Sequence, residues 1–257
     1  MCVRPSRTLQ VWPFRSPLRF RICVARFDAR PRDQFALLVL REEFNFRLLM
    51  NQQRRPLHAL AGHLLDLYRL LAFNPLNPHS YSKYRNLRAV QRHTGATMLI
   101  ETGTFLGVTT NRCAPHFERI YTVEIEPNLA AQAKAFLGRH SHVDVVLGDA
   151  DVEVRRLFNE KKIQNALIFL DGHFSAGLTG SADNPEPAVS ILEFLSQHAG
   201  QIAGIVIDDY REFGTQTGWP TKWQLTKTAE ELFSPQGFRL TVHLDQMLLE
   251  RLRPTGA

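Results

Sequence analysis

Cysteine is scarce in this 257-residue chain: Cys2, Cys23 and Cys113 are the whole complement. Their spacing fits no metal-ligand pattern, and three thiols cannot build a framework of pairs. That excludes a small disulfide-stapled secreted scaffold and points to a reducing, cytoplasmic compartment. Long hydrophobic runs are lacking too, since no apolar stretch reaches the ~18 residues needed to cross a bilayer as a helix. Positive charge is missing where a nucleic-acid-binding core would need it. The formal net charge is +6, but residues 1–32 hold eight arginines against one acid, a local +7, which leaves 23 basic and 24 acidic residues, or −1, for the rest. A nearly neutral body argues against a basic nucleic-acid-binding face within the fold.

The length suits one α/β domain with an extension, enough chain to bury a sizeable core. Residues 1–50 are rich in arginine and poor in acids, with Pro5, Pro13 and Pro17 before Asp28. The composition is that of a transit peptide. It is equally that of upstream sequence read from too early a start codon, with Met50 as the start. The second reading is favoured, because the segment has neither a clean amphipathic period nor a secretory apolar region. A tail for nucleic acid or an anionic membrane is a third option. The extension is expected to be poorly ordered, with FALLVL (Phe35 to Leu40) as a brief strand or helix.

Residues 51–95 read as helices. Leu57, Leu60, Ala61, Leu64, Leu67 and Leu71 recur at spacings of three and four, which predicts an amphipathic helix with that stripe turned inward. Asn74-Pro75 and Asn77-Pro78 end it. A second helix runs from about Ser80 to His93. His58, His63 and His93 have no metal-type neighbours at useful spacing and read as surface or core histidines.

Residues 96–257 carry the chemistry, organised around MLIETGTFLGVTT, Met98 to Thr110. This reads as a buried strand, a tight turn with Gly103 and Gly107, and the start of a helix near Phe105. Such a turn aims backbone N–H groups at a ligand and lets it approach closely. A dinucleotide fingerprint needs glycines at offsets 0, 2 and 5. Here the offsets are 0 and 4, and Glu101 precedes the first glycine. A carboxylate there repels phosphate and suits a cationic ligand; S-adenosylmethionine carries a sulfonium and an ammonium.

The spacing E-x-G-x-x-x-G-x-[ST] resembles motif I of the class I S-adenosylmethionine-dependent methyltransferases, nearest the catechol and caffeoyl-CoA O-methyltransferase branch. The resemblance covers roughly Thr97 to Arg253. It implies a Rossmann-like α/β fold: a seven-stranded, mostly parallel sheet with an antiparallel last strand and helices on both faces. GFRLTVHLDQMLLERL, read as two strands joined near Leu244-Asp245, fits that ending. The resemblance also implies cofactor binding by Glu101, Gly103, Thr104, Gly107 and Thr109. V-E-I-E-P matches the family's acidic ribose-binding position at Glu124, with Glu126 facing solvent or capping the next helix. Asp149 and Ala150 match its adenine-reading position, and Asp149 is also a good helix cap. Asp144, interrupting an apolar run, suits a strand near a sheet edge.

Two further buried strands end at Asp171 and at Asp208-Asp209. With those strands adjacent, the three carboxylates converge and repel unless a cation joins them. A divalent cation with oxygen ligands is the economical resolution. Asp171, Asp208 and Asp209 resemble the Mg²⁺ ligands of catechol-type enzymes, with Asp209 replacing the family's amide. In those enzymes the metal lowers the pKa of a substrate hydroxyl, and a base takes the proton. His173 and Asp171 are the candidate catalytic residues, because Phe174 stands where the family has its lysine. The loops Gly172 to Pro187 and Tyr210 to Thr221 emerge on the same face and are candidates for substrate selection, with Arg211 and Trp219 as contacts for an anionic or aromatic group, or Arg211 only as the ion-pair partner of the two aspartates before it.

The expectation is methyl transfer from S-adenosylmethionine to an oxygen of a small-molecule or sugar-like acceptor, with divalent-metal assistance and a homodimer as options. An iron-dependent oxidoreductase of the cephalosporin hydroxylase type is the alternative on the same fold, and a non-catalytic binding protein is the third reading.

Overall fold

The computed structural model describes residues 56–72, 78–171, 188–215 and 217–252. The expectations for residues 1–50, for His173 and for the loop Gly172 to Pro187 lie outside the described residues.

Two helices, α1 (Pro56–Leu71) and α2 (Ser80–Thr94), precede an alternating series. It runs β1 (Met98–Thr102), α3 (Val108–Cys113), β2 (Arg119–Glu124), α4 (Pro127–Leu137), β3 (Val143–Leu147), α5 (Ala150–Glu160), β4 (Ala166–Leu170), α6 (Ala188–Gln197) and β5 (Ile202–Ile207). A helix, α7 (Lys222–Phe233), and a hairpin of β6 (Phe238–His243) and β7 (Gln246–Arg251) complete it. The seven strands lie in the order β3-β2-β1-β4-β5-β7-β6. β1 to β5 pair in parallel, while β7 runs against both β5 and β6. This is the seven-stranded mixed sheet expected from the sequence, with β3 at an edge.

The central strands β4 and β5 are buried on both faces, which is why they read as continuous apolar runs. Successive side chains point to opposite faces. Ile100, Ile168, Ile205 and Leu249 therefore share one core with residues of α5, α6 and α7. Leu99, Leu167, Phe169 and Val206 share the other with Leu87 and Val90 of α2 and Cys113 of α3. A fully buried leucine of this kind contributes about 1.5–3 kcal/mol. α2 approaches the sheet closely at Gly204 of β5, where a Cβ would lie 3.0 Å from Val90 and 3.1 Å from the Leu249 carbonyl. Lys83 stands three to seven positions before Asn86, Leu87 and Val90, all buried, so it shares their helix face. Packing of α2 thus carries Lys83 to the sheet.

The chain departs from β1 toward β2 and β3 on one side and later toward β5 by way of β4 on the other. The direction reverses between β1 and β4, and the crevice beyond their carboxyl ends is where open α/β sheets bind ligands.

Two expectations need correction. The leucine stripe of α1 faces outward: Leu57 is 82% exposed and Leu71 79% exposed, whereas Ala59, His63 and Asp66 are buried. The reason is a polar contact. Asp66 accepts from the His79 N–H (2.5 Å) and the Ser82 hydroxyl (2.7 Å), while His63 Nδ1 pairs with that hydroxyl at 2.8 Å, so hydrogen bonds turn α1. Second, α3 begins at Val108, three residues later than expected, because Phe105 adopts a positive φ of 47° and cannot continue a helix.

Candidate functional site

The turn after β1 is built by β2. The N–H groups of Gly103 and Thr104 both reach the Val123 carbonyl, at 2.9 and 3.1 Å, and the Phe105 N–H donates to Glu124 Oε2 at 2.7 Å. Gly107 closes the turn at φ 68° and caps α3. A Cβ there would meet Leu137 at 3.1 Å, so the position favours glycine on both counts.

Glu101 lies beneath this turn. Its Oε2 accepts from the hydroxyls of Thr110 and Thr122, the latter at 2.7 Å. The Thr122 proton goes to Glu101, so the 2.6 Å contact between Thr104 and Thr122 is donated by Thr104. Burial pushes the Glu101 carboxyl up to about 7, against the pull of the two hydroxyls, and the nearby Glu124 adds to the rise. Glu101 therefore ties β1, β2 and α3 together under the glycine turn.

Above the crevice lies a cavity of about 420 Å³ lined by Pro78, Ser80, Lys83, Gly103, Thr104, Phe105, Leu106, Val108, Thr109, Asp171 and Asp209. Its size is in the range of small-ligand pockets. Of the candidate residues from the sequence, Gly103, Thr104, Thr109, Asp171 and Asp209 stand in that lining. Glu101, Gly107 and Asp208 are not part of that lining. Glu124 and Asp149 stand at the ends of β2 and β3, linked by the Gly148 N–H donating to the Glu124 carbonyl at 2.9 Å. The Glu124 carboxylate also accepts from Glu126 N–H at 3.1 Å. Asp149 is exposed and caps α5, accepting from Asp151 and Val152 N–H at 3.0 and 3.2 Å, with Ala150 opening the helix. Glu126 caps α4 through the Leu129 N–H.

Asp171, Asp208 and Asp209 do converge, on the ends of adjacent strands β4 and β5. Asp209 takes a left-handed conformation, φ 47° and ψ 41°, which lets two consecutive carboxylates face one partner. That partner is Lys83, whose Nζ lies 2.7 Å from Asp208 Oδ2 and 2.7 Å from Asp209 Oδ1. Burial works against the ammonium, but Asp208, Asp171 and Asp209 together outweigh it and raise the Lys83 pKa. Burial and the neighbouring Asp208 push the Asp171 carboxyl well above the usual range, and Lys83 only partly offsets them.

The metal expectation finds no support here. A divalent ion would sit about 2.0–2.6 Å from its oxygens, yet two of the three candidate ligands already face an ammonium at hydrogen-bond length, so the residues present do not fit a metal. Among the described residues no group of three or more His, Cys, Asp or Glu is arranged to hold one. The cation that the carboxylates require comes from α2.

In the Tyr210 to Thr221 loop, Arg211 is the ion-pair partner of an aspartate, and Trp219 is not a ligand contact. Arg211 pairs with Asp209 at 2.9 Å, with Glu212 at 2.9 Å and with Asp245 of the β6–β7 turn. Trp219 packs into the core against Phe213, ring centres 5.7 Å apart, instead of facing a ligand. Lys83 was not singled out from the sequence, although a signal existed: it is the first lysine of the chain, and the next is Lys134. His63 is a buried core histidine, and His93 is a surface partner of Glu250 at 3.0 Å. No helix among the described residues is long and apolar enough to cross a membrane.

No family model matches the sequence, and no curated protein matches it either. Solved structures do. An O-methyltransferase from Bacillus cereus, in complex with SAH, aligns with a TM-score of 0.53 at 17% identity over 76% of this chain and 100% of that one. The O-methyltransferase TomG from Streptomyces achromogenes, in complex with SAM, aligns at 0.49 and 18% identity over 76% and 90%. The first of these establishes a shared fold: this chain has the class I methyltransferase sheet.

Proposed function

We propose that this chain transfers a methyl group from S-adenosylmethionine to an oxygen of a small-molecule acceptor, without a divalent metal. The observation that carries the reading is the cavity of about 420 Å³ at the reversal between β1 and β4, floored by the Gly103 turn and bordered by Asp171 and Asp209. A ligand that fits has an apolar adenosyl body and a positive centre. Backbone at Gly103 and Thr104 approaches it closely, Glu124 accepts from ribose hydroxyls, and the backbone at Ala150 with Asp149 meets adenine. The O-methyltransferase of the same fold holds SAH, which supports the same donor here.

In the reaction, a lone pair of the acceptor oxygen attacks the methyl carbon. The carbon–oxygen bond forms, the carbon–sulfur bond breaks, and its electron pair remains on sulfur as the neutral thioether. The hydroxyl proton passes to a base. We assign this role to Asp171, which lines the cavity together with Lys83. Holding donor and acceptor in line supplies the larger share of the acceleration. The iron-dependent oxidoreductase reading loses its support, since the carboxylates it would use already face Lys83.

Isothermal titration with S-adenosylhomocysteine tests the reading, with NAD as the control ligand. Micromolar binding of S-adenosylhomocysteine, about −8 kcal/mol, and none of NAD is expected. NAD binding, or no heat from S-adenosylhomocysteine at about 1 mM, about −4 kcal/mol, overturns it.

A further inference from the structure

The carboxylates at the ends of β4 and β5 are held by a cation that the protein itself supplies, from a helix outside the sheet. Lys83 is one helical turn before Asn86 and Leu87 and two before Val90, and those residues are buried against the sheet. Asn86 is fixed further by donating to Gln246 Oε1 at 2.8 Å and to the His243 carbonyl at 3.2 Å. The ammonium therefore arrives on a rigid element, 126 residues in sequence from Asp209. Its side chain is 12% exposed and Asp208 is fully buried, so their attraction is screened little by solvent.

From this arrangement we propose that Lys83 is a built-in substitute for a divalent cation: it neutralises Asp208 and Asp209, bars a metal from their oxygens and offers a remaining N–H to the acceptor oxygen. An ammonium has three donors: one goes to Asp209 in a hydrogen bond of 2.7 Å, while Asp208 Oδ2 stands 2.7 Å away as an ion-pair partner. Lys83 and Asp171 line the same cavity. An acceptor hydroxyl between them donates its proton toward Asp171 and accepts from Lys83, so the oxygen is oriented without coordination chemistry. The acceptor class follows: an alcohol or phenol that presents a single hydroxyl satisfies both groups, and the two adjacent hydroxyls that a chelating metal selects are not needed. The last two statements rest on the methyl-transfer reading. The exclusion of metal rests on geometry alone.

The test is Mn²⁺ binding, followed by titration calorimetry and by the decrease of its free EPR signal, on the full chain with and without S-adenosylhomocysteine. Wild type is expected to bind no Mn²⁺ at about 1 mM, the weak end for oxygen-ligand sites. Lys83→Ala, which takes the ammonium from Asp171 and Asp208 and leaves Asp209 with Arg211 as its cation, is expected to bind Mn²⁺ at least tenfold more tightly than wild type, and Lys83→Arg is expected to stay silent. Circular dichroism checks each fold. Mn²⁺ binding by wild type overturns the proposal, as does a folded Lys83→Ala that stays silent. If Lys83→Ala does not fold, the wild-type and Lys83→Arg titrations decide. The S-adenosylhomocysteine arm reads the methyl-donor proposal separately: its failure leaves the Mn²⁺ result standing, and the reverse holds equally.

Discussion

Replacing Glu101 by glutamine perturbs a buried carboxyl whose titration is carried to neutral pH by burial. Glu101 is 1% exposed and its carboxyl is raised from 4.5 to about 7. Unfolded, it releases its proton near 4.5; folded, it holds it to about 7. Between those values the native state binds more protons than the unfolded chain, so stability falls as pH rises through the window. At about 1.4 kcal/mol per pH unit, the loss is ~3 kcal/mol. Glutamine has no such titration, and its carbonyl still accepts from Thr110 and Thr122. The experiment is urea unfolding of wild type and Glu101→Gln at pH 5, 6, 7 and 8. The stability difference is expected to move steadily in favour of the variant, by about 2–3 kcal/mol across the series, after which it levels. Subtracting the two curves removes titrations common to both. A difference that stays constant from pH 5 to 8 would refute the buried-acid account of the glycine turn.

Three further outcomes are expected. Glu124→Gln removes a charge from the group assigned to the ribose; charge-assisted hydrogen bonds contribute about 1.5–3 kcal/mol, so titration should show S-adenosylhomocysteine affinity reduced by tenfold to a hundredfold, and unchanged affinity would remove Glu124 from the site. Gly107→Ala forces a side chain into φ 68° with Leu137 at 3.1 Å; a loss of about 1–2 kcal/mol should appear in thermal unfolding, and no loss would mean that the turn has another conformation. Asp149→Ala removes the cap of α5 at a cost of about 1 kcal/mol, read by urea unfolding; equal stability would show that the aspartate does not cap.

Much of this architecture is legible in the sequence, because the strands are short apolar runs with chemistry at their ends. Glu101, Glu124, Asp149, Asp171 and Asp208 all stand at or just beyond carboxyl ends, where a parallel sheet binds ligands. The start of the helix Lys222 to Phe233 is written locally, since Thr221 and Gln224 form a reciprocal capping box. What local pattern cannot reveal is partner choice across the fold. Convergence of three carboxylates implied a cation, but the sequence did not say that α2 would deliver Lys83 to them. Periodicity alone makes the leucine stripe of α1 a core face. The bonds from Asp66 to His79 and Ser82 decide its orientation, and they depend on tertiary contacts. Trp219 was read as a ligand contact for lack of any signal that Phe213 would take it inward.

The most direct measurement of the central claim is a crystal structure with S-adenosylhomocysteine soaked to saturation. The adenosyl amino acid is expected over the turn from Gly103 to Thr109, with its ribose at Glu124, its base beside Asp149 and its sulfur toward Asp171. Electron density for the molecule elsewhere, or a cavity that stays without it at saturation, would contradict the account.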